Sequence, residues 1–358
     1  MIKLLKMLSV VVIIGVFSLK CSAAETDKYL EEFEEILPEE YRESASDGEA
    51  LIESLGISAV LYEIRSAIVG EGGRVGSFFL LLLGLVTLSS AVALVPTSHR
   101  KICEAGVGAL SSIAIYRSIS PLFSELTAAL SGASRFLTEL SPVLAAVTLA
   151  GGGVSGASVQ SAGMAAVLAF VGGASTALFS AVSGFALAMS LVSSFGGEGA
   201  GSVLGATKST FNWLLGIATA LLMGTLSLQN LVATARDSAG MRAAKYAASG
   251  LIPVVGGTVS GALSTLASGL SYVKGVVGAG SIFVILSIGL SPLVLLLLYR
   301  LALSLAVSMA GLLGAGEAQK TVGAYRFLLD TLIALYSLSM LLYVFMIVLF
   351  VKSGVALS

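Results

Sequence analysis

Polar side chains with the potential for chemistry concentrate between Gln229 and Gly261, in a region whose flanks are almost free of charge. Arg242 and Lys245 are three residues apart and share one face of a helix, and Asp237 lies two turns from Lys245 near that face. One interpretation is that the basic side chains reach lipid headgroups. The sharper interpretation is a polar face turned toward a pore or a protein contact, with Asp237 paired to a basic neighbour. The full polar set of this stretch is Gln229, Asn230, Arg236, Asp237, Arg242 and Lys245.

Signatures of catalysis and metal binding are missing from the sequence. The only histidine is His99, and the two cysteines are Cys21 and Cys103, so no Cys/His cluster of the kind that holds zinc can form. There is no GxxxxGK[ST] loop, no GxSxG elbow and no HExxH helix. We therefore expect no catalytic residue, no cofactor site and no metal site, and we do not expect an enzyme.

The composition is typical of a chain dissolved in a bilayer. Hydrophobic residues make up 56% and charged residues 11% of the 358 residues, and the mean hydropathy is +0.98. A soluble domain carries about 25% charged residues, which it needs to cover a water-facing surface. Thirteen of the 21 acidic residues precede residue 66. The charge pattern thus predicts a short acidic segment followed by a membrane-embedded body, and the net charge of −1 gives no indication of nucleic-acid binding.

The first residues have the layout of an export signal. Lys3 and Lys6 precede an apolar run from Met7 to Leu19, and the small residues Ser22, Ala23 and Ala24 follow, which predicts a signal peptide over residues 1–24 with cleavage after Ala24. An uncleaved signal anchor is the alternative. Either way residues 25–75 are expected to form an acidic extracytoplasmic segment with short amphipathic helices, which is either a solvated spacer or a docking segment for a partner.

Residues 76–358 are predicted to form an all-α polytopic transmembrane domain. About six spans are expected, with five to seven plausible, because uncharged stretches repeatedly reach the roughly 20 residues that cross a bilayer. If the mature N-terminus is outside, the first span ends at the basic cluster His99-Arg100-Lys101 on the cytoplasmic side. The clear candidates are 77–95, 140–197, 209–235, 275–299 and 331–351, and the weaker one is 105–116.

Broken or re-entrant helices are also expected, because proline and glycine recur inside the apolar stretches. The predicted breaks are Pro121, Pro142 with Gly151–Gly153, Pro253 with Gly256-Gly257, and Pro292. The segment 152–157 resembles 256–262, and each follows a Pro-Val pair. Matching breaks in two halves are typical of transporters with inverted repeats, so a self-contained secondary transporter for a small solute is the alternative function.

The central residues resemble the stage III sporulation protein AE family over roughly residues 75–352. The resemblance is strongest from Asp237 to Ser260 and extends to Gly289–Leu293 and Leu298–Leu301. Its motifs here are Gln229 with Asp237, Met241-Arg242-Ala243-Ala244-Lys245-Tyr246, Ile252-Pro253-Val254-Val255-Gly256-Gly257, and Ser260. On this basis the residues expected to carry function or interaction are Gln229, Asp237, Arg242, Lys245, Pro253, Gly256, Gly257 and Ser260.

The resemblance implies a role in endospore formation. A member would be a multi-pass component of the channel-like stage III A complex, in the mother-cell membrane that surrounds the forespore. Its implied partners are the other stage III sporulation A proteins, including a cytoplasmic ATPase and a ring-forming protein, and indirectly the forespore stage II sporulation protein Q. The missing Walker loop agrees with this scheme, since the energy source would be another subunit.

Overall fold

The fold was analysed in a computed structural model that describes residues 33, 35–37, 57–92, 94–194, 200–251 and 256–353. Within these residues there is no strand, and six long helices follow one another, which confirms the predicted all-helical class. The signal peptide, its cleavage after Ala24 and most of the acidic segment lie outside the described residues. The helices are α1 (Ile57–Val92), α2 (Thr97–Ala150), α3 (Val154–Ser194), α4 (Ala200–Leu251), α5 (Gly256–Leu312) and α6 (Gly316–Lys352).

Five helices in the described part of the chain are long and apolar enough to cross a membrane. This number lies within the predicted range of five to seven. The apolar portions are Leu61–Val92, Val154–Val192, Ser209–Gly240, Gly269–Leu312 and Gly316–Lys352. The weaker candidate 105–116 belongs to α2, which is not among the five because Arg117, Glu125, Arg135 and Glu139 interrupt its apolar residues.

Helix α2 runs without interruption through two predicted breaks. Pro121 and Pro142 both lie inside it, and Pro292 lies inside α5, so the expectation that these prolines end helices is wrong. A proline removes one backbone hydrogen bond, and close packing with neighbouring helices can hold the helix together on either side of that gap. The α2 face that carries Leu122, Leu126, Leu130 and Leu137 is at most 5% exposed and packs into the protein core rather than facing outward.

The break at Gly151–Gly153 is real, and its geometry explains why glycine is needed there. Gly152 has φ +79°, a left-handed conformation that side chains disfavour. Its N–H donates to the Leu149 carbonyl, and the Gly153 N–H donates to the Thr148 carbonyl, which is the paired hydrogen bonding of a Schellman motif. The uncharged stretch 140–197 is therefore the end of α2, this turn and all of α3.

Helix α6 is the centre of the bundle. It contacts all five other helices. In its most apolar stretch 61% of the residues are buried, whereas the corresponding share is 18–39% in the other four candidate spans. Tyrosine hydroxyls fasten it to its neighbours: Tyr336 donates to the Gly289 carbonyl of α5 at 3.2 Å, and Tyr325 donates to the Ser112 carbonyl of α2 at 2.7 Å. Arg300 of α5 forms an ion pair with Asp330 of α6.

At Gly278 helix α5 lies directly against Val351 of α6, and replacing this glycine should push the two helices apart. A side chain at this position would overlap Val351 Cγ2, and valine has a stiff, branched side chain that cannot swing away. We expect Gly278→Val to lower the free energy of unfolding by about 1–3 kcal/mol, as overpacked cores do. Denaturation of the purified protein in detergent measures this. Gly216→Val on α4, where an added Cβ meets no atom within 4 Å, is the matched control and should change stability far less.

Candidate functional site

Asp237 of α4 reaches the first turn of α3, more than eighty residues away in the chain. Its Oδ1 accepts a hydrogen bond from the Ser155 N–H at 3.1 Å, and its Oδ2 accepts one from the Gly156 N–H at 2.7 Å. The side chain is partly buried at this junction. The structure therefore joins two features that the sequence showed separately, the polar stretch around Asp237 and the glycine break before α3.

The first N–H groups of α3 need a hydrogen-bond acceptor from another helix, because the N-cap residue of α3 has no side chain to supply one. Gly153 precedes the helix and its carbonyl accepts the first helical hydrogen bond, from Ala157, so Gly153 occupies the N-cap position without a side chain. The first N–H groups of a helix have no partner within it, and an N-cap side chain ordinarily accepts from the second or third helical residue. Ser155 and Gly156 are those residues. Asp237 thus acts as the N-cap of α3 from another helix.

The two glycines leave room for this arrangement. A Cβ at Gly153 would lie 3.0 Å from Thr148 Cγ2 and 3.1 Å from the Thr148 carbonyl oxygen, closer than side chains normally pack. A Cβ at Gly156 would lie 3.2 Å from Asp237 Oδ2. A serine or aspartate at the N-cap would be too crowded, so the acceptor comes from α4. The negative carboxylate also suits the partial positive charge at the start of a helix.

Further polar groups surround the junction beneath the carboxylate. The Thr148 hydroxyl lies 2.8 Å from the Leu144 carbonyl oxygen and 3.2 Å from Gln160 Oε1. Gln160 is only 8% exposed, and its Nε2 has no hydrogen-bond partner among the described residues. The end of α2, the start of α3 and the last third of α4 thus meet in a small polar region inside an otherwise apolar bundle.

The other predicted site residues whose surroundings the structure describes do not join this junction. Gln229 and Arg242 are exposed on α4. The Asp237 carboxylate accepts from two backbone N–H groups, and no described side chain forms an ion pair with it. Its predicted pairing with a basic neighbour stays a prediction, because the side chain of Lys245 is outside the described part. Lys245 lies on α4, and Gly256, Gly257 and Ser260 lie in the first turns of α5, but their surroundings are outside the described part. Pro253 is outside it as well.

Lys274 is a buried charge that the sequence did not single out. It is 3% exposed on α5, and its Nζ donates to the carbonyl oxygen of Ser353 at 2.9 Å and to the Ser353 Oγ at 3.1 Å. The Nζ also lies 5.3 Å from the centre of the Phe350 ring. Ser353 directly follows α6, so a cation caps the negative end of that helix. The only signal in the sequence was a lone lysine at the start of a span, which usually indicates contact with headgroups.

Both arrangements position helices. Asp237 satisfies the positive end of α3, and Lys274 satisfies the negative end of α6, each from a different helix. Among the described residues no group of three or more His, Cys, Asp or Glu side chains could hold a metal ion. The residues of the candidate site therefore hold α2, α3 and α4 together.

Comparison with known proteins places the whole of this junction inside one family match. The family model described as stage III sporulation protein AE matches residues 74–354, which is well over half of the chain. No curated protein and no solved structure matches the chain.

Proposed function

Because the chain belongs to the stage III sporulation protein AE family, which acts in stage III of sporulation, we propose that it is the multi-pass membrane component of the channel-like stage III A complex. In this role it links mother cell and forespore and is required for endospore development. Five apolar helices of spanning length support a place in the cell membrane. The specific location that we propose is the mother-cell membrane around the forespore.

The Asp237 cap is the observation that carries this proposal. It lies within the family match and gives the polar stretch of α4 a defined task, the fastening of α4 to the α2–α3 turn. In this chain the covered charges cap the ends of helices or form ion pairs between helices. These are features of a conduit or platform subunit. Such a subunit takes its energy from a partner, since the sequence has no nucleotide-binding loop of its own.

The proposed partners include the subunit that would supply this energy. They are the other stage III sporulation A proteins, including a cytoplasmic ATPase and a ring-forming protein, and indirectly the stage II sporulation protein Q of the forespore. The ATPase would act from the cytoplasmic side and the ring-forming protein from the opposite side. The acidic segment 25–75 is the part of the chain that we propose for contact outside the cytoplasm.

Co-purification from sporulating cells tests the proposal. We expect a tagged copy of the chain, extracted in mild detergent during engulfment, to bring down the ATPase and the ring-forming protein together. A tagged multi-pass membrane protein of similar abundance is the control and should bring down neither. Recovery of the chain alone, from cells in which the tagged copy supports normal spore formation, would contradict membership in the complex.

A further inference from the structure

A half-open cavity of about 300 Å³ lies between α2, α3 and α6, away from the Asp237 junction. Helix α2 contributes a row of hydroxyls together with one arginine, α3 contributes Val171 and Gly172, and α6 contributes Tyr343. Its volume is at the small end of the range found for ligand sites. The polar residues that line it are Thr127, Ser131, Ser134, Arg135, Thr138 and Tyr343.

Arg135 is an exposed arginine that lines this cavity and brings a positive charge to it. Among the described residues it forms no ion pair. Arg135 and Gly172 are each about 25–30 Å along their helices from the turn at Gly151–Gly153, which puts the cavity near the middle of the apolar portion of α3. A charged side chain at such a level ordinarily pairs with an opposite charge or faces a water-filled site. A negatively charged ligand would supply the missing charge.

Tyr343 provides a second, independent indication of a ligand. Its side chain is fully buried, and its hydroxyl forms no hydrogen bond of normal geometry within the described residues, although it lies beside Ser134. A buried hydroxyl without a partner costs about 1–3 kcal/mol, so such a group ordinarily bonds to a neighbouring side chain, an ordered water or a bound ligand. The hydroxyls of Thr127, Ser131, Ser134 and Thr138 recur at intervals of four and three residues along one face of α2, beside the same cavity.

We propose that this cavity binds a phosphate group, with the Arg135 guanidinium as its charged partner and the Tyr343 and serine hydroxyls as further donors. A tetrahedral oxyanion has several oxygens to receive these donors, and the planar guanidinium binds two of them at once. Gly172 borders open space, since a Cβ added there would meet no atom within 4 Å. The phosphate belongs either to a soluble phosphorylated compound or to a phospholipid headgroup. The site requires no partner protein and goes beyond the function proposed above.

Binding measurements on the purified full chain in detergent separate the two sources. Equilibrium binding of radiolabelled inorganic phosphate tests the soluble source, and native mass spectrometry after addition of phosphatidylglycerol or neutral diacylglycerol tests the headgroup. The variants are compared in the measurement in which the wild type binds, whether phosphate or lipid. Arg135→Gln should weaken binding roughly 10- to 100-fold and Tyr343→Phe roughly tenfold, because each loses charge-assisted hydrogen bonds to the phosphate. Arg117→Gln, an exposed arginine of the same helix outside the cavity, is the matched control and should bind as the wild type does.

Filling the cavity provides a test that leaves every polar group in place. Gly172→Leu should abolish binding, whereas Gly173→Leu, on the same helix and equally free of neighbours within 4 Å but not lining the cavity, should leave it intact. Elution as a single species in gel filtration shows that each variant is folded. The proposal is overturned if neither phosphate nor the anionic lipid binds the wild type, or if folded Arg135→Gln and Gly172→Leu bind as tightly as their controls.

Discussion

Replacing Asp237 by alanine should lower the free energy of unfolding by about 2–4 kcal/mol. The substitution leaves the N–H groups of Ser155 and Gly156 without their acceptor, at a helix start whose own N-cap is a glycine. Loss of an N-cap side chain costs about 0.5–2 kcal/mol, and hydrogen bonds to a charged acceptor are worth about 1.5–3 kcal/mol each. Titration of the purified protein with sodium dodecyl sulfate, followed by circular dichroism, measures the change.

A graded pair of variants separates the cap from a general effect of mutating α4. Asp237→Asn keeps one amide oxygen that can accept a hydrogen bond but puts an NH₂ group opposite the second N–H, so its loss should be intermediate. Gln229→Ala, at an exposed position of the same helix, should change stability by less than about 0.5 kcal/mol. Equal stability of the alanine variants at 229 and 237 would show that the carboxylate does not cap α3.

The same substitution should reduce the yield of heat-resistant spores while the protein still reaches the membrane. A shift in how α3 leaves the α2–α3 turn would change the outer surface on which partners assemble, even if the bundle stays inserted. Spore counts together with immunoblots of the membrane fraction check this, with Thr225→Ala, at an exposed position of the same helix, as the control. Normal spore yield from Asp237→Ala combined with Lys245→Ala would remove both residues from the proposed role.

The sequence predicted the class of fold because that class depends on composition. A chain with 11% charged residues cannot present a water-facing surface, and the low charge already requires long apolar helices. The positions of breaks were predicted less well, because proline and glycine act differently inside a bundle. Pro121, Pro142 and Pro292 remain within helices, whereas Gly152 must adopt a left-handed conformation that ends α2. Local residue type alone does not distinguish these outcomes.

The sequence drew attention to only some residues of the Asp237 junction, for a related reason. Asp237 stood out because charge is rare in this body, and Gly151–Gly153 stood out as a break. Their contact was not predictable, since the partners of the carboxylate are backbone N–H groups that have no signature in the sequence. A neighbouring base looked more plausible, because charged side chains on one helix face are expected to interact. Lys274 was missed for the same reason, as its partner is also a helix end.

The ion pair between Arg300 and Asp330 should be at least as sensitive to substitution as the Asp237 cap. It joins α5 to α6, and both side chains are mostly covered, with 24% and 18% of their surfaces exposed. Removing one partner of a covered pair leaves the other charge in apolar surroundings, which costs about 3–5 kcal/mol. We therefore expect Asp330→Ala and Arg300→Met each to destabilise the protein by an amount in that range, measured by the same detergent titration.

Exchange of the two charges distinguishes attraction across the interface from simple loss of packing. The double variant Arg300→Asp with Asp330→Arg restores opposite charges, so it should recover more than half of the stability that either single exchange loses. Arg100→Met, which removes a more exposed pair with Glu104 within α2, is the control and should cost only about 0.3–0.5 kcal/mol. If the double exchange is as unstable as the sum of the two singles, the charges do not stabilise each other. The contact of α5 with α6 then depends on the apolar packing around Gly278 and Gly289.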